Sequence, residues 1–318
     1  MPRKPILFGL FGLLLAAAAY IIQTPTRDVV WAGGAVVGTT ALPTPSPSWD
    51  DDDWAVFRDK VRWALDSGLD TLSMGATVAA VGRSFVGTAY IPRTLEADGP
   101  EHLVINFRGL DCVTFVETAL SLARFVHMPG AAEFLEARGS AEDRYEALLT
   151  EIRYRGGVLD GYPSRLHYFT DWIADARAKG LVTEMTAELG GVPDPEAVDF
   201  MSTHAGEYRQ LADAGNLAAI RAAESRLTHG GRRYVPEERL AAVAPSIRDG
   251  DIIAATSTVA GLDVAHTGLA LWVDGTLRLL HAPLVGDSVQ ISEESLPQRI
   301  RRIRGQDGIL VARPTEGS

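Results

Sequence analysis

Cys112 is the only cysteine in the chain of 318 residues. Without an intramolecular disulfide partner, this thiol is either a reactive nucleophile or a small buried side chain, and the residue alone favours neither. Asp111 precedes it as a helix N-cap, and apolar residues follow at helical spacing. We predict that Cys112 begins a helix, where free backbone N–H groups and the helix dipole favour the thiolate.

His266 and His281 form the second chemical feature. Asp274-Gly275 separates two strand-like segments and predicts a hairpin that brings the two imidazoles together. Such a pair could be a base with an orienting partner, a metal site or two surface histidines. No HExxH or CxxC motif accompanies them, so metal is the weaker functional interpretation, and no cofactor is expected.

A thiol at a helix N-terminus, a strand histidine and a further polar group are the parts of a cysteine hydrolase. The histidine accepts the thiol proton and later protonates the leaving amine, while the third group fixes the histidine tautomer. The order cysteine, histidine, polar residue along this chain is that of papain-like folds.

The elements that must position these residues change character along the chain. Helical periodicity dominates residues 54–90 and 111–245, and strand patterns follow from Gly250 onwards. We predict an α+β fold with a helical N-terminal half and an antiparallel sheet in the C-terminal half.

The N-terminus predicts export. Arg3 and Lys4 precede an uncharged apolar run over residues 6–22, so residues 1–22 are expected to be a signal peptide or an N-terminal membrane anchor. Residues 23–49 form a Pro/Ser/Thr-rich spacer, and residues 50–318 form the catalytic domain. The expected location is the periplasm or cell envelope, with a membrane tether through residues 6–22 as one option. The net charge of −11 argues against a nucleic-acid partner.

Three segments resemble the N-acetylmuramoyl-L-alanine amidase-like family, in the NlpC-type branch of papain-like cell-wall cysteine hydrolases. They are LDCVTFVE at 110–117, SRLHYFTDW at 164–172, and GDII at 250–253 followed by HTG at 266–268. The resemblance covers residues 54–314 and implies a papain-like, NlpC-type fold.

The resemblance also implies roles for individual residues. Cys112 matches the nucleophile, His266 the general base and His281 the polar group that orients the base. Tyr90 matches a tyrosine that helps to line the oxyanion site, where Asp111 supports the Cys112 backbone.

The segment from Arg165 to Trp172 is a candidate for substrate binding. Arg165 could bind a stem-peptide carboxylate through two parallel hydrogen bonds. His167, Tyr168, Asp171 and Trp172 complete the predicted groove. Alternatively, Arg165 and Asp171 form a structural ion pair while Trp172 packs in the core.

The expected function is hydrolysis of the amide between N-acetylmuramic acid and L-alanine, through a thioester and without metal. The expected partners are peptidoglycan fragments or muropeptides. One alternative within the fold is an endopeptidase that cuts between D-glutamate and the diamino acid of the stem. Two alternatives from other classes are a non-catalytic envelope-binding domain and a zinc amidase that uses the two histidines.

Overall fold

The computed structural model of the protein describes residues 49–316. The predicted signal peptide or anchor (1–22) lies outside the described residues, as does the spacer (23–49) except for its last residue. No helix within residues 49–316 combines the length and the apolar character that a membrane crossing requires.

The N-terminal half of the described chain is mainly helical. Its helices are α1 (Asp51–Asp66), α2 (Met74–Arg83), α3 (Cys112–Val126), α4 (Ala131–Phe134), α5 (Arg138–Arg153) and α6 (Phe169–Ala178). Two short strands, β1 (Ala89–Tyr90) and β2 (Gly109–Leu110), pair in parallel between α2 and α3.

Helix α3 lies at the centre of the molecule. Almost every side chain from Thr114 to Val126 is buried, because apolar and small residues occur on all sides of this helix. It packs against α2 and α5. The first residue of the helix, Cys112, is therefore held by a rigid, enclosed element.

The C-terminal half forms an antiparallel sheet. Its strands are β3 (Val182–Glu184), β4 (Val192–Pro193), β5 (Arg233–Pro236), β6 (Ile252–Ser257), β7 (Val264–Val273), β8 (Thr276–His281), β9 (Gln290–Ile291) and β10 (Gln306–Pro314). The strands lie in the order β4-β5-β10-β6-β7-β8-β9, and β3 also pairs with β10. The helices that join or flank them are α7 (Phe200–Thr203), α8 (Ala214–His229), α9 (Leu240–Val243) and α10 (Leu296–Arg302).

Both faces of the central strands are covered. Ile252 and Ala254 of β6 belong to the large core shared with α1, α2 and α3, whereas Ile253 and Ala255 belong to a smaller core shared with α10. Alternate side chains of a strand point to opposite faces, so burial on both faces explains the nearly continuous apolar sequence of β6. A third apolar cluster includes Tyr168 and Phe200.

The predicted hairpin and fold class are confirmed in outline. Val273 pairs with Thr276 across the turn, where Asp274 (φ 49°) and Gly275 (φ 73°) both have the left-handed backbone of a type I′ hairpin. Helices are followed by an antiparallel sheet, as expected. The expectation of mainly helix up to residue 245 was wrong for β3, β4 and β5, whose two to four residues are too short to show an alternating pattern.

Candidate active site

Cys112 is the first residue of α3, and the predicted N-cap is present. The Asp111 carboxylate accepts hydrogen bonds from the backbone N–H groups of Val113 (3.1 Å) and Thr114 (2.8 Å). In return, the Thr114 hydroxyl accepts a hydrogen bond from the Asp111 N–H at 2.8 Å. This reciprocal capping box fixes where the helix begins, and with it the position of the thiol.

Thr267 connects the N-terminus of α3 to strand β7. Its hydroxyl donates a hydrogen bond to the Cys112 carbonyl oxygen at 2.7 Å. Sequence reasoning did not identify this residue, although it directly follows His266.

The two histidines form a buried pair. Nε2 of His266 and Nδ1 of His281 are 2.7 Å apart, and the rings are almost perpendicular, at 85°. The hairpin register places His281 opposite Gly268. Because Gly268 has no side chain, the His281 ring can reach diagonally across to His266. The remaining ring nitrogen of His266, Nδ1, is then available for a second partner.

Cys112 and His266 line the same cleft, which has a volume of about 280 Å³. Cys112 is partly exposed there, and His266 is 4% exposed. Among the hydrogen bonds of residues 49–316, none joins the thiol to the imidazole directly.

The electrostatics of the cleft favour neutral groups. Although part of Cys112 faces the cleft, loss of solvation and the neighbouring Asp111 raise the thiol pKa to about 11. Burial and the positive charge of Arg299 lower the pKa of His266 to about 3, and they lower the pKa of His281 well below its usual range. The expectation that the helix N-terminus favours the thiolate was therefore wrong, because desolvation of the sulfur outweighs the helix dipole.

Tyr90 lines the cleft from the end of β1, as its predicted role requires. Burial and the proximity of Cys112 and Asp111 raise the pKa of its phenol. The hydroxyl therefore stays protonated at neutral pH and remains a hydrogen-bond donor.

Arg165 also lines the cleft, but its charge is already paired. The buried guanidinium lies 2.7 Å from a Glu96 carboxylate oxygen and 3.0 Å from one of Glu101. Two carboxylates compensate its single positive charge. Its availability to a substrate carboxylate is correspondingly reduced.

His167 and Tyr168 line the same wall, and each makes internal hydrogen bonds. Nε2 of His167 lies 2.8 Å from the Tyr162 carbonyl oxygen. The Tyr168 hydroxyl donates to Glu224 at 2.6 Å and accepts from the Met201 N–H at 2.8 Å. Their rings can shape the groove, while their polar atoms hold the third apolar cluster in place.

Asp171 and Trp172 do not line the cleft. Asp171 accepts two parallel hydrogen bonds from Arg155, at 3.0 and 2.7 Å, so the alternative pair between Asp171 and Arg165 was wrong. Trp172 is fully buried and stacks on Phe169, with the two ring centroids 4.8 Å apart. Their positions assign both residues to packing and not to the groove.

A buried ion pair, whose arginine partner sequence reasoning missed, lies about one and a half turns beyond Cys112. Glu117 accepts a hydrogen bond from Arg153 Nε at 2.7 Å, and Arg153 Nη1 donates to the Val104 carbonyl at 2.7 Å. Both side chains are almost inaccessible. Within the described residues, no group of three or more His, Cys, Asp or Glu side chains is arranged to hold a metal ion.

Comparisons with known proteins identify the family of this chain. The family model described as AmiA-like, N-acetylmuramoyl-L-alanine amidase-like, matches residues 80–309. A crystal structure of an N-acetylmuramoyl-L-alanine amidase from Bacteroides uniformis ATCC 8492 is 35% identical, covering 76% of this chain and 99% of that one, with a TM-score of 0.69. A crystal structure of a Bacteroides fragilis protein described as a candidate xylanase is 37% identical, covering 73% of this chain and 98% of that one, with a TM-score of 0.65.

A more distant structure shares the fold. A protein from Legionella pneumophila str. Philadelphia 1 is 20% identical, covering 83% of this chain and 95% of that one, with a TM-score of 0.60. The comparison with curated proteins gives no match.

Proposed function

Because this chain belongs to the AmiA-like family of N-acetylmuramoyl-L-alanine amidase-like proteins, we propose that it is a cysteine amidohydrolase with Cys112 as nucleophile. The substrate is a peptidoglycan fragment, and the bond cleaved is the amide between the lactyl group of N-acetylmuramic acid and L-alanine. One observation carries the proposal: the thiol at the start of α3 and His266 line the same cleft, and His281 is hydrogen-bonded to His266 from a fully buried position.

The histidine pair defines a tautomer suited to a general base. If Nδ1 of His281 accepts from Nε2–H of His266, then Nδ1 of His266 has a free lone pair. This nitrogen accepts the Cys112 proton as the sulfur attacks the amide carbonyl. His281 thus holds the tautomer and orientation of the base, as the third member of a catalytic triad does.

The negative charge on the attacked carbonyl oxygen needs donors in the cleft. The Cys112 backbone N–H at the helix start and the protonated Tyr90 hydroxyl are the groups we assign to it. The tetrahedral species then collapses: the imidazolium proton passes to the alanine nitrogen, the C–N bond breaks, and a thioester remains on Cys112. His266 next deprotonates a water molecule that attacks the thioester, which releases the lactyl carboxylic acid and restores the thiol.

The carboxylates in the cleft favour amide hydrolysis over glycoside hydrolysis, which would need two carboxyl groups flanking a sugar linkage. Four carboxylates line the cleft: Asp111 caps α3, Glu117 pairs with Arg153, Glu96 pairs with Arg165, and Asp263 accepts hydrogen bonds from Thr170. Each of these carboxylates is used in an internal hydrogen bond or ion pair that stabilises the fold. The remaining alternatives are the stem-peptide endopeptidase, the non-catalytic binding domain and the zinc amidase.

We also propose that the catalytic domain has the papain-like, NlpC-type arrangement. A core helix that begins with the nucleophile and packs against the strand carrying the base supports this assignment. We further propose that residues 1–22 direct the protein to the periplasm or cell envelope, either as a cleaved signal or as a tether. A peptidoglycan substrate supports this location.

The test is incubation of the purified protein with defined muropeptides and identification of the products by mass spectrometry. Wild-type protein should release a lactyl-bearing sugar and a peptide with a free alanine amine. Cys112→Ala and His266→Ala should be inactive, whereas the control His229→Ala changes an exposed histidine that does not line the cleft and should stay active. Turnover by Cys112→Ala would refute the mechanism, and cleavage after D-glutamate would establish the endopeptidase instead. Loss of wild-type activity in chelator would favour the zinc amidase.

A further inference from the structure

One positively charged side chain that lines the cleft has no carboxylate partner among the described residues. The charged side chains that line it are mostly acidic, and Arg165 is neutralised by Glu96 and Glu101. The exception is Arg93. An anionic group that enters the cleft would meet unpaired positive charge at this residue.

Arg93 is presented to the cleft by an unusual backbone. It follows β1 and Pro92, its side chain is exposed, and its φ of 59° lies in the left-handed region. A bulky residue adopts this conformation only when the surroundings impose it, and such residues concentrate at functional sites. One guanidinium nitrogen, Nη2, donates to the Glu207 carbonyl oxygen at 3.3 Å. This long contact to a neutral oxygen leaves most of the five donors of the guanidinium unused.

We propose that Arg93 binds a free carboxylate of the substrate's peptide stem and thereby anchors the stem in the cleft that contains Cys112. The proposal rests on the proposed function, because the stem carboxylate and the amide belong to one substrate. A guanidinium recognises a carboxylate through two parallel N–H···O bonds, and Arg93 has the free donors for both. This assigns carboxylate recognition to Arg93 and leaves Arg165 as a buried support of the wall.

The test compares two forms of N-acetylmuramoyl-L-alanyl-D-glutamate, one with both glutamate carboxylates free and one with both converted to amides. Arg93→Gln should raise KM for the dicarboxylate by about ten- to hundredfold, with kcat nearly unchanged, because a charged hydrogen-bonded contact is lost. The same variant should leave KM for the diamide within about twofold of wild type. Arg93→Lys should restore part of the affinity, since it keeps the charge but not the planar fork.

The matched control is Arg209→Gln. Arg209 is an exposed arginine that pairs with Asp98 and does not line the cleft. Both substrates should behave normally with this variant. Equal effects of Arg93→Gln on the dicarboxylate and the diamide, or no effect on either, would overturn the role of Arg93.

A binding measurement separates this proposal from the proposed function. If wild-type protein cleaves neither compound, the proposed reaction on this substrate fails. Calorimetric titration of the dicarboxylate into Cys112→Ala and into Cys112→Ala/Arg93→Gln then tests Arg93 alone. Affinity at least tenfold weaker in the double variant supports the proposal. Equal affinities, or no binding to Cys112→Ala, contradict it.

Discussion

Gly268→Ala should disconnect the histidine pair while leaving both histidines in the chain. Gly268 lies opposite His281 in the hairpin, and a Cβ atom at this position would lie 2.7 Å from the Leu280 carbonyl oxygen and 2.9 Å from Cβ of His281. Both distances are shorter than a carbon atom tolerates, and both neighbours belong to β8. Strand β8 must therefore shift, and the 2.7 Å bond between His266 and His281 shifts with it.

The expected effect on chemistry exceeds the effect on folding. Overpacking of this kind costs about 1–3 kcal/mol of the free energy of unfolding. Misalignment of the general base should lower kcat by about 10²-fold or more, the range in which acid–base catalysis operates. Steady-state kinetics on a muropeptide and urea unfolding measure the two effects separately.

The control for Gly268→Ala is Gly139→Ala, in the first turn of α5, where an added Cβ meets nothing within 4 Å. This change should leave kcat unaltered and should not lower the free energy of unfolding, because alanine suits a helix better than glycine. A folded Gly268→Ala protein with wild-type kcat would refute the argument that close approach at Gly268 positions the base.

Three further predictions concern buried charge. Arg153→Met should lower the free energy of unfolding by about 3–5 kcal/mol, because it leaves the Glu117 carboxylate buried without its partner. Arg153→Met/Glu117→Leu should recover most of this loss. Urea unfolding measures both variants, and equal stability of the two would contradict the prediction. The histidine pKa values are lower in the folded protein than in the unfolded chain, so their contribution to stability is complete above about pH 6.5 and is lost as the pH falls toward 3. His281→Asn should therefore reduce the dependence of the free energy of unfolding on pH in this window by up to about 1.4 kcal/mol per pH unit, whereas an unchanged slope would argue against a buried neutral ring. Alkylation of Cys112 by iodoacetamide should accelerate about tenfold per pH unit from pH 7 to 10, as a thiol pKa of about 11 requires, and a plateau near pH 7 would contradict that value.

Features encoded by neighbouring residues could be predicted from the sequence. The cap that places Cys112 spans only Asp111 to Thr114, and the hairpin depends on the Asp274-Gly275 turn. Once the turn fixes the register, the proximity of His266 and His281 follows, since a strand has a fixed rise per residue. The position of Cys112 at the start of α3 and the pairing of His266 with His281 depend on such short-range signals.

Contacts between distant segments could not be predicted. Thr267 and Cys112 are 155 positions apart, and the segment between them gives no sign of this contact. The partners of Arg165 are Glu96 and Glu101, in a stretch without helical or alternating periodicity. Sequence alone therefore suggested Arg165 as a carboxylate binder, because it shows the presence of a charge but not of its partners.

The predicted charge state of Cys112 failed for a reason of magnitude. A helix N-terminus favours a nearby negative charge by about 0.3–1 kcal/mol at an exposed position. Burial of an ionisable group can shift its pKa by several units, each worth about 1.4 kcal/mol. The sequence predicts the helix terminus but not the burial of the sulfur. The prediction therefore included the weaker effect, the helix dipole, and left out the stronger one, desolvation.

This charge state constrains how the proposed reaction starts. With the thiol pKa near 11 and the His266 pKa near 3, proton transfer from sulfur to imidazole is by itself strongly unfavourable. In the proposed reaction, transfer becomes favourable only when negative charge forms on the attacked carbonyl oxygen. The Cys112 backbone N–H and the Tyr90 hydroxyl then donate hydrogen bonds to that oxygen. The imidazolium is then balanced by the oxyanion and not by a free thiolate. In the proposed reaction, proton transfer is therefore coupled to attack on the carbonyl, and at neutral pH the thiol stays mostly protonated until a substrate places an amide carbonyl beside these donors.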